Sequence, residues 1–464
     1  MPWILLFFVA MAFASSKKDA HLVLEDSSGH HWAAVRLTLA ESLQITDFGP
    51  THMQSSTWAR LRAFGEFTSK FRFTSTATVY TDIANRNYPA NYYEPDLGIP
   101  YNTQDSGRRT WDYIMARSEY QPTEYLQLST GLDYLREGPS FRNPIAFRGE
   151  QNFFRPWQDS STRNPRPAPF LFAGFKMDLA WLAYTQTTAK TMARRGLDRY
   201  LHTHRLTANL PMHSEFSLFE TEVYGTTVEP AGSNPNRDGD SLGRTMEWLY
   251  AMPFVPYFFA QHYIGDRDNG NMGLTGVFRG IPNLETYFEL MLDDSKSPLS
   301  LLDESWWGNK WGLSTGWKYG RTWRSMDLEL RFEWTRIEPW VYTHHLGASH
   351  QYTHYGQLIG SDLGPNSQEF YTHLQMAYEP IRIRLSFSSV DKDTALGSQV
   401  SDIHTPADAT TKKFLNPSTT HHYLQAGIET WFQWNEWYWI NMGYWYYRGS
   451  YEGVRAEGSI GITW

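Results

Sequence analysis

The last eleven residues, Val454–Trp464, alternate without interruption. Val454, Ala456, Gly458, Ile460, Ile462 and Trp464 form a small or apolar face, while Arg455, Glu457, Ser459, Gly461 and Thr463 form a polar or featureless one. Successive side chains of a strand point to opposite faces, so this segment is apolar on one side and charged on the other. A tilted strand of about ten residues spans the hydrocarbon core of a bilayer. The chain stops on an aromatic, where an interfacial ring belongs. Two folds use such a strand: the edge of a soluble sandwich and the wall of a transmembrane barrel.

Composition favours the barrel. Aromatic residues make up 16% of the chain, with 20 Trp and 28 Tyr, yet the mean hydropathy is only -0.52. Alternating strands produce this combination, because averaging along them hides the lipid-facing side. No apolar run is long enough for a membrane-spanning helix. Trp3–Ala14 is an apolar stretch ending in Ala12-Phe13-Ala14, and it reads as a signal peptide over residues 1–14, although no Lys or Arg precedes it. With no cysteine the chain has neither disulfides nor thiol chemistry. A net charge of -8 gives no nucleic-acid footprint. These features point to a Gram-negative outer membrane and a single domain over residues 15–464.

Read backwards from Trp464, the alternation recurs. Trp437–Tyr447, His421–Trp434, Ile381–Val390 and Phe370–Tyr378 read as strands. Tight turns at Asn435-Glu436 and Glu379-Pro380 alternate with the long polar stretch Asp391–Thr420. Outer-membrane barrels have short periplasmic turns and long external loops, so both turns fall on the side of Trp464. Parity then sends Phe370, Leu374, Ile381, Leu385, Leu424 and Ile428 to lipid, and Tyr371, His373, Arg382, Arg384, Glu429 and Trp431 to the lumen. Leu328–Thr335 behaves likewise, with Glu329, Arg331 and Glu333 on the inner face. The expected fold is an all-β transmembrane antiparallel barrel of about 16–18 strands, an even number. Asn143–Pro169, rich in proline, reads as irregular or short-helical structure on a rim or inside the barrel.

Parity also places Trp431, Trp437, Trp439, Trp445 and Tyr447 on the lumenal face, near Glu429, Arg382 and Arg384. Aromatic faces bury the apolar sides of sugar rings, while carboxylates and guanidinium groups hydrogen-bond hydroxyls and acidic substituents. These residues form the candidate polysaccharide site, although a packed interior or an interfacial girdle would use the same side chains. His202 and His204 share one face of a strand and read as a hydrogen-bonded lumenal pair flanked by Arg199 and Arg205, with no third ligand for a metal. Asn234–Asp240 resembles the start of a calcium loop, but Thr245 stands where the closing Glu belongs. No nucleophile elbow or acid–base spacing is present, so neither catalysis nor a cofactor is expected.

Several segments in order resemble the Wzi-type capsule assembly family of outer-membrane proteins. They are Arg199-Tyr200-Leu201-His202-Thr203-His204-Arg205-Leu206, Met252-Pro253-Phe254 leading to Asp268-Asn269, Leu290-Met291-Leu292-Asp293-Asp294, Tyr342-Thr343-His344 and Leu363-Gly364-Pro365-Asn366-Ser367. Glu137-Gly138-Pro139-Ser140 departs from the Trp-Gly-Pro-Gly-like turn expected there. The resemblance implies a monomeric barrel, closed by helices on the periplasmic side and loops outside, that holds capsular or exopolysaccharide without transforming it. External loops such as Asp391–Thr420, Gly360–Gln368 and Thr226–Gly243 are expected to help. The partners would be surface polysaccharide, outer-membrane lipid and the barrel assembly machinery, which would read Trp464. A porin or oligosaccharide channel remains the alternative, and a barrel-embedded hydrolase a further one.

Overall fold

The computed structural model describes residues 22–25, 32–49, 51–84, 102–105, 108–151, 153–157, 168–192, 198–226, 244–265, 267–294 and 301–464. The expected signal peptide, most of Thr226–Gly243 and the calcium-like segment lie outside the described residues.

Eighteen long strands form one antiparallel sheet that closes on itself. In chain order they are β1 (Trp32–Asp47), β2 (Thr51–Thr68), β3 (Phe71–Ala84), β4 (Arg108–Thr123), β5 (Leu126–Asp133), β6 (Phe170–Leu179), β7 (Leu182–Met192), β8 (Asp198–Leu210) and β9 (Ser214–Gly225). The second half comprises β10 (Asn269–Ile281), β11 (Leu284–Asp294), β12 (Lys310–Trp323), β13 (Met326–Ile337), β14 (Ser367–Tyr378), β15 (Ile381–Asp393), β16 (Thr420–Gln433), β17 (Tyr438–Gly449) and β18 (Gly453–Thr463). The alternating tail, β18, pairs with β17 on one side and with β1 on the other, in a register running from Thr38 opposite Thr463 to Asp47 opposite Val454. Closure removes the free edges that an open sheet would leave in lipid.

The predicted strands fall where alternation placed them, with boundaries shifted by a few residues. One shift matters: β17 begins at Tyr438, so Trp437 belongs to the preceding turn. The tight connections at Ser69-Lys70, Ala180-Trp181, Asn283, Arg324 and Glu379-Pro380 all lie at the end of the barrel where Trp464 sits. The opposite end has short links after β1 and β17 and carries all the long connections, which makes the Trp464 end periplasmic. The lipid-facing set is exposed: Phe370 by 43%, Leu385 by 42% and Ile428 by 44%.

Two external connections fold into the lumen as a plug. Tyr134–Trp157, the described part of the proline-rich stretch and its approach, enters between the walls. Glu338–Asn366 folds beside it, carrying the short hairpin of Thr353–His354 and Gln357–Leu358. Ile145, Phe147, Tyr342, Tyr352 and Leu363 of the plug pack on inward-facing Leu201, Val223, Met291, Ile337, Val390 and Tyr423. This is the apolar core of the molecule. Gly360–Gln368 belongs largely to it, with Ser361, Leu363, Asn366 and Ser367 buried, so the expected exposed loop is in fact plug.

The expected periplasmic helices are not found among the described residues. The described helices, α1 (Trp248–Ala251) and α2 (Tyr257–Tyr263), lie in the external connection between β9 and β10.

Candidate functional site

A row of buried strand carboxylates holds the plug. Glu333 on β13 accepts the backbone N–H groups of Phe141 at 2.7 Å, Arg142 at 3.0 Å and Asn143 at 2.8 Å. Glu289 on β11 accepts those of Ile145 at 3.0 Å and Ala146 at 2.8 Å. Glu369 on β14 binds side chains instead: Arg142 Nε at 3.1 Å, Asn143 Nδ2 at 2.9 Å and Arg155 Nη1 at 2.9 Å. An extended segment inside a barrel has no ladder partner of its own, and buried N–H groups must be satisfied. The carboxylates meet that need. Gly138 enters this arrangement with φ +93°, and a Cβ there would stand 2.6 Å from Glu289 Oε2. Glycine is needed at that position whatever follows Pro139.

Between the plug and the wall formed by β1–β5 and β16–β18 lies a polar cavity of about 890 Å³. Trp58, Arg60, Trp431, Glu429, Arg455 and Glu457 line it. The Arg384 guanidinium stands 5.0 Å from the centre of the Trp431 ring and Arg382 5.9 Å. Arg60 stands 4.9 Å from Trp58, whose ring is 6.2 Å from Trp439. Arg384 also bridges to Glu429 at 3.4 Å and donates to Gln375 at 2.8 Å. Six of the eight predicted polysaccharide residues therefore split into two groups. Trp431, Trp439, Glu429, Arg382 and Arg384 gather on this wall, whereas Trp437 sits at the periplasmic turn.

Trp445 and Tyr447 face the lumen as expected, but both are buried. Tyr447 is fully buried against Phe48 and Phe154, with ring centres at 5.0 and 5.8 Å. Trp445 is buried beneath the Arg455 guanidinium, 4.6 Å away. Reasoning from sequence missed Trp58 and Arg60, although both lie on the inward parity of β2. A second polar cavity of about 630 Å³ lies along β5–β11 and is lined by Lys176, Arg205, Arg279 and Glu285. Arg117 and Tyr134 line both cavities.

The motif residues divide between wall, plug and exterior. Arg199 points inward and donates to the carbonyls of Ser349 and Thr353 at 2.9 Å, pinning Glu338–Asn366. Arg205 reaches Glu137 at 3.2 Å and Thr275 at 2.9 Å. Asn269 Nδ2 donates to the His350 carbonyl at 2.7 Å. Asp268 accepts from Arg244 and from Tyr250 Oη at 3.0 Å. Asp293 pairs with Lys310 at 2.5 Å and accepts the Tyr342 N–H at 2.5 Å, while Asp294 is exposed at the strand end. Gly364 takes φ +71°, and the Pro365 carbonyl accepts from Lys392 Nζ at 2.5 Å.

His202 and His204 are not lumenal. They share the outward face of β8 with Tyr200 and Leu206, opposite inward Arg199, Leu201 and Arg205. His202 Nε2 lies 3.0 Å from Tyr224 Oη, and His204 Nε2 lies 2.7 Å from Glu220 Oε2. No cluster of three or more His, Asp or Glu suited to a metal ion occurs among the described residues.

No protein-family model matches the sequence, nor does any curated protein compared with it. Among solved structures the chain is similar to Wzi of Escherichia coli, described as a carbohydrate-binding β-barrel involved in group 1 capsule assembly. The TM-score is 0.53 at 12% identity, over 92% of this chain and 84% of that one. It is also similar to OccK8 (OprE) of Pseudomonas aeruginosa, with a TM-score of 0.47 at 9% identity over 93% and 98% of the two chains. OccK2 (OpdF) of the same organism, solved with glucuronate, gives 0.48 at 8% identity over 96% and 98%. At such identities the likeness is one of fold. With its closed eighteen-strand wall, exposed apolar belt and long connections on one side only, this chain is an outer-membrane β-barrel protein of the Gram-negative type.

Proposed function

We propose that this barrel binds a surface polysaccharide, capsular or secreted, and organises it at the cell surface without transforming it. The observation that carries the reading is the wall of Trp58, Trp431 and Trp439 interleaved with Arg60, Arg382, Arg384 and Glu429, beside the polar cavity that the plug leaves open. Flat aromatic faces take the apolar side of a sugar, and guanidinium groups take hydroxyls or uronate carboxylates. The membership in a Wzi-like family that the sequence motifs suggest belongs to this reading. So do a monomeric state and recognition of Trp464 by the barrel assembly machinery. No bond-making step is assigned, since the His204–Glu220 pair lies on the outer wall and away from the cavities.

In cells that make a surface polysaccharide, replacing Trp431 and Arg384 together by Ala releases the polymer into the medium while barrel abundance stays unchanged. Full retention by that variant overturns the reading.

A channel is the second reading. Two polar cavities share Arg117 and Tyr134, as a narrowed passage would. Steady single-channel conductance of the reconstituted barrel supports it, and a closed baseline supports the binding reading.

A further inference from the structure

The outer wall of β7–β10 departs from the apolar surface that lipid requires. On its outward face stand Tyr184, Gln186, His202, His204, Glu220 and Tyr224, on the same parity as Leu206 and Leu218, which are 40% and 48% exposed. Charged and polar groups in that position cost several kcal/mol, about 2–4 for a basic residue at the midplane. They are tolerated because Arg244–Gly265, carrying α1 and α2, folds back over them.

Nearly every outward polar side chain serves a backbone or ring group of that segment. Gln186 Nε2 donates to the Tyr250 carbonyl at 3.1 Å. Tyr224 Oη accepts the Glu247 N–H at 2.5 Å and Tyr184 Oη accepts that of Phe254 at 2.9 Å. Glu220 Oε2 accepts the Tyr257 N–H at 2.7 Å while holding His204 at 2.7 Å. The His204 imidazole stacks on Tyr257 with ring centres 4.2 Å apart. Gly270 permits the close approach, since a Cβ there would stand 2.9 Å from Gln261 Oε1. In hydrocarbon no water satisfies helix ends or irregular backbone, so protein must do so. The strand supplies the partners.

The other side of the segment is apolar and bare. Trp248 is 72% exposed, Met252 53%, Phe254 56%, Phe259 61% and Tyr263 89%. From Trp248 to Ile264 the sequence has no Lys, Arg, Asp or Glu. The segment starts at the external rim, where Asp268 leads into β10. It descends until Phe254 packs on Tyr184, ring centres 4.3 Å apart, two residues into β7 from the periplasmic turn. Its bare face is continuous with Leu206, Leu218 and Met272 of the lipid belt.

We infer that Arg244–Gly265 is a re-entrant flap lying on the barrel's exterior within the outer membrane, its aromatic face against lipid acyl chains. The polar cluster beneath it is an intramembrane latch, with Glu220 as the central acceptor.

The chain has no cysteine, so single-cysteine variants take one spin label cleanly. Phe259→Cys and Tyr263→Cys, labelled and reconstituted in phospholipid vesicles, are compared with Leu218→Cys on the lipid belt and Ser418→Cys on an external loop. Heat-modifiable migration confirms folding of each. The flap labels match Leu218→Cys, with high collision with oxygen and low collision with a water-soluble nickel chelate. Nickel accessibility equal to that at Ser418→Cys overturns the inference, placing the flap in water. Shielding from both reagents overturns it too, placing a second copy or another protein on that face.

Discussion

Arg155 of the plug donates to Glu369 of the wall at 2.9 Å, and neither side chain is exposed. The same guanidinium donates to Asp362 at 2.9 Å. Burial alone would lower its pKa, but the Asp362 and Glu369 carboxylates raise it well above the usual arginine value. One cation thus ties both inserted connections to the barrel.

Removing Glu369 leaves Arg142 and Arg155 buried without their shared anion, a change that costs about 3–5 kcal/mol. Glu369→Ala is expected to lower the temperature at which the barrel converts from its compact to its unfolded gel band. The same protein should leak ions in planar bilayers where the parent does not. Replacing Glu333 should act in the same direction by orphaning three plug N–H groups, each worth about 1–3 kcal/mol.

Acid should loosen the plug. Burial pushes His354 down from 6.5 to about 3, with its Nε2 facing the Pro169 carbonyl at 3.0 Å, which can only accept. Burial also lowers His350, and lowers His344 well below its ordinary value. The folded state holds these rings neutral, whereas the unfolded plug binds protons more readily. Their contribution is therefore complete above pH 6.5 and is lost as pH falls from there towards 3, at about 1.4 kcal/mol per pH unit for each fully buried ring. Protease nicking of the plug, followed from pH 7 to 4, should increase on acidification. His354→Gln should flatten that profile; a pH-independent rate would contradict it.

Facing can be tested by one pair of substitutions. Leu374 is 36% exposed on the lipid side of β14, and Gln375 beside it points inward. Leu374→Arg should destabilise the inserted barrel by about 2–4 kcal/mol, and Gln375→Arg by much less. Urea titration in lipid vesicles reads both.

Period-two alternation made the wall legible, because a one-residue error would have put Arg382 or Glu333 into lipid. The reversal at His202 and His204 was hidden, since the segment that shelters them lies forty to sixty residues downstream. The local sign was an outward face on β8 that changes from Tyr200, His202 and His204 to Leu206, Ala208 and Leu210. The charge-free aromatic run from Trp248 to Ile264 was its counterpart. Parity gave Trp445 and Tyr447 the correct direction but no account of their cover, which comes from Arg455 over Trp445 and from Phe48 and Phe154 against Tyr447. Of the carboxylate row only Glu333 was visible, as a lumenal residue, because the plug groups that the row binds lie 143 to 227 positions away.

Binding of purified barrel to an array of capsular and exopolysaccharide fragments tests the central claim most directly. The parent should retain at least one acidic or neutral glycan. Trp431→Ala and Trp58→Ala should each weaken retention by about tenfold or more, a loss of about 1.4 kcal/mol or greater. Trp434→Ala, at a periplasmic position 75% exposed, should leave it unchanged. Retention of no glycan, or equal losses at Trp431 and Trp434, would contradict a lumenal polysaccharide site.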